Sequence, residues 1–212
     1  RVDRGQSLPL SYAQQRQWVL WQLEPESNTY HMSASLRLAG NLDVDALERS
    51  FATIIARHEI LRTRIYQDGE GQPRQYIEPK SDFRLEVESL PAAPEDDALR
   101  SRLASYGQRP FNLHKGSLLR ASLLSWSEAD SVAGKVAVLA LVQHHIISDA
   151  WSMNLLVNEL VATYTALSQG QEPALPELPI QYADYAVWQR ECLAGGEGER
   201  QLAYWKNRLG NE

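Results

Sequence analysis

Two adjacent histidines, His144 and His145, followed by Ile146-Ile147-Ser148-Asp149, are the residues best suited to proton chemistry in this sequence. Histidine takes or gives a proton near neutral pH, with an ordinary pKa of about 6.5. An aspartate four residues after the second imidazole could orient it or pin the intervening loop. The pair follows directly on Val136 to Val142, a run that is apolar at every position and reads as a strand covered on both faces. Successive strand residues point to opposite faces, so both imidazoles reach one cleft only if the strand has already ended. One of the two is therefore expected to be structural. The same spacing also suits a role without chemistry, because a histidine pair at a strand end can simply be hydrogen-bonded, and Ser148 or Asp149 ahead of a helix is a standard N-cap.

Holding an imidazole at a strand end requires a sheet and helices to cover it, and the periodicities predict both. Tyr12 to Leu23 reads as a helix capped by Ser11 and stopped by Pro25, with Trp18 and Trp21 on one face. Met32, Ala34, Leu36 and Leu38 alternate with polar residues over Tyr30 to Leu38, the pattern of a half-buried strand. Val44 to about His58 reads as a second helix with Asp43 as its cap. Leu61 to Gln67 and Arg74 to Glu78 form a hairpin around Asp68-Gly69-Glu70-Gly71. Further strands are expected at Arg84 to Leu90, Leu118 to Trp126 and Lys135 to Gln143, the last two paired across a polar loop from Ser127 to Gly134. Glu95 to Tyr106 and the segment bearing Met153, Leu156, Leu160, Tyr164 and Leu167 read as helices. Tyr182 to Leu193 and Glu199 to Leu209 are two more, split by Gly195-Gly196. Strands and helices mix throughout, so the class is α/β or α+β. The proline-bearing stretch Gln171 to Pro179 is the best internal boundary.

The bulk properties narrow the function classes. At 212 residues the chain can bury a substantial core without staples. Its single cysteine, Cys192, allows no internal disulfide, redox pair or zinc constellation, which fits a reducing cytoplasm. No apolar run approaches the roughly 20 residues of a membrane span, and the first residues lack the apolar stretch of a signal peptide. A net charge of −6 with scattered lysines and arginines argues against a nucleic-acid partner.

Three other stretches accompany the histidine segment. Ser11-Tyr12-Ala13-Gln14-Gln15-Arg16-Gln17-Trp18-Val19-Leu20, Arg57-His58-Glu59-Ile60-Leu61-Arg62-Thr63, His144 to Ser152 and Tyr182-Ala183-Asp184-Tyr185-Ala186-Val187-Trp188 resemble, in order, the first four signatures of the condensation domains of nonribosomal peptide synthetases. The third is the family's His-His-x-x-x-Asp-Gly. The resemblance implies a chloramphenicol-acetyltransferase-like lobe, a two-layer α/β sandwich with a mixed sheet flanked by helices. It covers only the first half of the family's two-lobed domain: residues 1–178 correspond to the N-terminal lobe, and 179–212 to a helical segment leading toward a C-terminal lobe that this chain is expected to lack.

The resemblance further implies an amide-forming acyltransferase. A donor acyl group and an acceptor amine arrive as thioesters on phosphopantetheine arms of two partner carrier domains, with an adenylation domain adjacent. The lobe needs no cofactor or metal of its own. Carried over, His145 contacts the attacking amine as base or as electrostatic anchor, and an isolated lobe is expected to be inactive. His144, Ser148 and Asp149 are read as motif-structural. Asp149, taken as buried, needs a cationic or hydrogen-bonding partner, with Arg62 the leading partner and Arg16 the runner-up. Tyr182, Asp184 and Trp188 do not share one helix face, which favours packing and capping over catalysis. Arg57, His58 and Glu59 close the second helix, where basic groups suit its dipole. One departure is Ala150, which stands where the family has glycine; a left-handed conformation there would strain alanine by roughly 1–2 kcal/mol. Ser148 and Trp151 resemble the subtype taking an L-configured donor. The alternatives are a starter domain that acylates an amino acid with a fatty acid, a silent docking platform, and an epimerising relative. A heterocyclising relative is disfavoured because it would carry aspartate in place of His144.

Overall fold

The computed structural model describes residues 1–127 and 135–210. In chain order the elements are β1 (Leu8–Pro9), α1 (Tyr12–Leu23), β2 (His31–Ala39), α2 (Val44–Arg57), a short 3-10 turn (Glu59–Arg62), β3 (Thr63–Gln67), β4 (Pro73–Ile77) and β5 (Glu86–Ser89). They continue with α3 (Asp96–Gln108), β6 (Leu119–Ser127), β7 (Lys135–His144), α4 (Ala150–Ser168), α5 (Tyr182–Cys192), a wide turn (Leu193–Glu197) and α6 (Gly198–Leu209). The expected polar loop between β6 and β7 lies, beyond Ser127, outside the described residues.

The main sheet has the order β2-β7-β6-β5 and is mixed: β7 runs antiparallel to both of its neighbours, whereas β5 is parallel to β6. β7 is its central strand, buried from Val136 to His144 as the apolar run predicts. Its odd positions Ala137, Leu139 and Leu141 pack with Phe51, Ile54 and Ile55 of α2 and Met153, Leu156 and Leu160 of α4. Val136 and Val138 project to the other face, where Leu99, Leu103 and Tyr106 of α3 cover them with Trp126. Met32, Ala34, Leu36 and Leu38 of β2 pack on the main core, while the alternate positions Ser33, Ser35 and Arg37 face outward and are exposed, with the C-terminus of α3 touching the strand at one end.

A second sheet, β1-β4-β3, is antiparallel and carries the predicted hairpin. The Asp68 carboxylate accepts from the amides of Glu70 and Gln72 and pairs with Arg74 Nε at 2.8 Å, and Gly71 supplies the positive φ of 77° that closes the turn. α5 packs back on this sheet: Ala183 joins Leu8 and Ile77 in a small cluster, with Val2 and Val187 against it. α6 by contrast has no buried residue. Among the described residues no helix is long and apolar enough to cross a membrane.

Candidate active site

The first histidine belongs to β7 and the second lies beyond it. His144 is paired with His31 of β2 and is 2% exposed, surrounded by Phe111, Tyr30 and His31 at ring separations of 6.0 to 6.5 Å. Its Nδ1 accepts from the amide of Ile146 at 3.0 Å, so the neutral ring carries its proton on Nε2. Burial, with smaller contributions from the neighbouring imidazoles of His31 and His145, pushes its pKa down from 6.5 to about 4. His145 starts the turn after the strand, donates its amide to Tyr30 O at 2.8 Å, and is exposed. The change of element from strand to turn separates the two side chains.

His145 opens into a cavity of about 290 Å³ whose wall draws on all four sequence stretches: Ala13, Gln14, Arg16 and Gln17 from α1, His58, Ile60 and Leu61 after α2, the loop from His145 to Asp149, and Tyr182 from α5. The capping box of α1 does more than start the helix. Gln14 accepts from the Ser11 amide through Oε1 and donates through Nε2 to Ile146 O at 3.3 Å, while Gln17 Nε2 donates to His145 O at 3.4 Å. Two buried glutamines of the first stretch thus hold the backbone of the histidine loop.

Asp149 corrects the sequence-based expectation. It is exposed, caps α4 by accepting from the Ser152 amide at 2.7 Å, and makes no ion pair with Arg62 or Arg16 among the described residues. Hydrogen bonds from the side chain and amide of Ser152 hold it below the usual carboxylate range, with a smaller electrostatic contribution from His145. A helix N-terminus supplies donors enough for a carboxylate, so no buried cation is needed. Arg62 instead donates to Glu78 O and lines a separate groove beside Arg49, Phe83 and Arg84. Ser148 is buried, with Oγ donating to Asp149 O at 3.4 Å. Ala150 is the first residue of α4, exposed and without positive φ, so alanine costs no backbone strain there.

The second and fourth stretches do more than end and begin helices. Asp184 caps α5 through the Gln181 amide, accepts from Val2 N and receives a two-pronged bond from Arg4 at 2.7 and 3.0 Å. Arg4, with the two backbone amides assisting, holds the Asp184 carboxyl far below its ordinary range. Arg4 also pairs with Glu59 at 2.8 Å, and Gln181 bonds the backbone of Arg57 and Glu59. Tyr182 Oη lies 3.0 Å from Ser11 Oγ. These bonds rigidify the cavity wall, and Trp188 stays exposed. Arg57 and His58 do not act through the helix dipole alone: both approach Glu159 of α4. Sequence spacing carried no signal for Arg4 or Glu159, because their partners lie 180 and 101 residues away respectively. Among the described residues no His, Cys, Asp and Glu cluster could hold a metal ion.

A mixed sheet flanked by helices, with a histidine just beyond its central strand, defines an α/β lobe of the chloramphenicol-acetyltransferase-like class. The condensation-domain family profile matches residues 5–212, and the chain belongs to that family. It is 47% identical over 212 residues to one of the subunits of linear gramicidin synthase from Brevibacillus parabrevis, covering 99% of this chain and 3% of that protein. It is 40% identical to phosphinothricin tripeptide synthetase PhsC of Streptomyces viridochromogenes, covering 99% of this chain and 19% of the relative. Among solved structures, the X-domain from teicoplanin biosynthesis, in complex with OxyB, superposes with a TM-score of 0.84 at 33% identity, over all of this chain and 45% of that one. The starter condensation domain of rhizomide synthetase RzmA superposes equally well, with a TM-score of 0.84 at 23% identity, a likeness of fold. The chain thus spans a small part of the synthetases and under half of the solved domains.

Proposed function

We propose that this chain is the His145-bearing half of a domain that forms amide bonds in nonribosomal peptide synthesis. The acceptor amine, carried as an aminoacyl thioester on one carrier domain, attacks the thioester carbonyl of a donor acyl or peptidyl group on another. The C–N bond forms, the C–S bond breaks, the donor's pantetheine sulfur leaves, and the amine gives up one proton. Residues 179–212 lead into a second lobe that closes the far side of the cavity, and an adenylation domain lies nearby in the same synthetase. The substrates ride on phosphopantetheine, so the lobe itself uses no cofactor.

One observation carries the reading: an exposed imidazole, His145, faces a cavity built from all four signature stretches, and its loop is pinned by Gln14 and Gln17. A fixed imidazole can orient the amine or take its proton, and alignment of two bound reactants lowers a barrier by several kcal/mol. In the intact protein with both carriers loaded, His145→Ala is expected to lower amide formation by roughly 10²–10⁴-fold. Near-normal turnover would overturn the catalytic assignment. The likeness to an X-domain solved in complex with a second protein favours a docking platform as the second reading. The same assay separates the two, because a platform yields no amide even with His145 intact.

A further inference from the structure

The cavity that exposes His145 has a second imidazole in its wall. His58, which ends α2, lines it with a side chain that keeps 18% exposure. Nε2 of His58 lies 2.6 Å from Oε2 of Glu159, whose side chain is 11% exposed, and Arg57 Nε approaches the same oxygen at 3.4 Å. A carboxylate set among donors accepts, so Nε2 carries the ring proton. In the neutral ring Nδ1 then keeps a lone pair, and it has no hydrogen-bond partner among the described residues. The helix end does not use this ring, since the cap is made by the His58 backbone amide to Ile54 O. The ring is anchored through Nε2 on Glu159 and keeps part of its surface exposed in the cavity wall.

We propose that His58 is a positioning residue for the acceptor amine: its Nδ1 accepts a hydrogen bond from the amine N–H, and Glu159 fixes the tautomer that keeps this lone pair available. The inference rests on the amide-forming reading above. His58 makes and breaks no covalent bond and keeps its proton on Nε2. It turns the amine so that the nitrogen lone pair points at the donor carbonyl, while a second N–H remains for His145. The ligand class is a primary amine presented on a thioester.

The test uses the intact synthetase, a loaded donor carrier and a soluble aminoacyl-N-acetylcysteamine thioester as acceptor. His58→Gln keeps an amide that can donate to Glu159 and removes the Nδ1 acceptor. It is expected to raise KM for the acceptor roughly fivefold, the worth of one neutral hydrogen bond, and by more than it lowers kcat, with donor KM and melting temperature near wild type. His58→Asn, whose amide oxygen can take the Nδ1 position, is expected to recover most of the acceptor KM. An unchanged acceptor KM in His58→Gln, beside an active wild type, overturns the positioning role while leaving the amide-forming reading intact. If His58→Gln is unstable, His58→Asn decides: an acceptor KM still within twofold of wild type supports the role, and a loss as large as that of His58→Ala overturns it. A wild type that forms no amide overturns both.

Discussion

His144 is held neutral by its surroundings. The unfolded chain binds a proton at this residue near pH 6.5, and the folded chain only near pH 4. Between those values unfolding takes up a proton, so acid favours the unfolded state. The contribution of this group is fully present above about pH 6.5 and is lost as the pH falls toward 4, by roughly 3 kcal/mol. His144→Asn keeps an acceptor for the Ile146 amide and removes the titration. Urea unfolding at pH 7, 5.5 and 4.5 is expected to show a shallower loss for this variant than for wild type, and equal slopes would assign the acid sensitivity elsewhere. His31 is the neighbour to watch, since burial lowers its pKa as well. Strand alternation led to the expectation that the two side chains part company, and they do, with His144 buried at the end of β7 and His145 exposed in the turn beyond it. Which way Asp149 and Arg62 would turn was not legible in the sequence, because a carboxylate can satisfy itself locally at a helix start or distantly at a cation, and only the backbone path decides.

At the level of elements, α1 and α5 form a brace around the histidine loop. Arg190 of α5 donates to Leu10 O and to Gln15, Gln189 Oε1 accepts from the Tyr12 amide at 3.0 Å, and Arg190 stacks 4.0 Å over the Tyr12 ring. The Asp184 carboxylate joins this brace to the N-terminal segment through Arg4. Asp184→Ala removes a helix cap and one of the two carboxylates that Arg4 pairs with, and is expected to cost about 2 kcal/mol in urea unfolding at pH 7. Arg4→Ala combined with Asp184→Ala is expected to cost clearly less than the sum of the single changes, because the two side chains share one interaction. Strict additivity would show that the contact contributes nothing. Asp184 is held below the usual carboxylate range, so its contribution is present at neutral pH and is lost only as the pH drops below about 4. That window lies beneath the one set by His144.

For the whole molecule, the core is closed by elements of this chain: α2 and α4 cover one face of β7, and α3 covers the other. The 212 residues by themselves are therefore expected to melt cooperatively. On the two-lobe reading they form no amide, because a cavity open on one side admits water and holds neither pantetheine arm in line. The surface carries apolar side chains consistent with further contacts, including Trp151 at 82% exposure and Leu202, Tyr204, Trp205 and Leu209 of α6. Loading both carriers and comparing dipeptide release by this piece with that of the intact domain tests the reading. A cooperative melt without product supports it, and turnover close to the intact domain overturns it.

The sequence by itself determined the longer elements, their order, the buried central strand and the family, but not the two-residue strand β1. Local signals write these down: the period of apolar residues in β2 and α2, the caps Ser11 and Asp43, the Asp68-to-Gly71 turn and four ordered signature stretches. Only the tertiary structure decided who meets whom. Asp149 became an exposed cap, Ala150 an unstrained helix start, Arg62 a neighbour of another groove, and Arg4 and Glu159 the partners of motif residues. Periodicity records which way a side chain faces. Pairing across 100 or more residues depends on how the sheet and helices stack, and no local pattern encodes that distance.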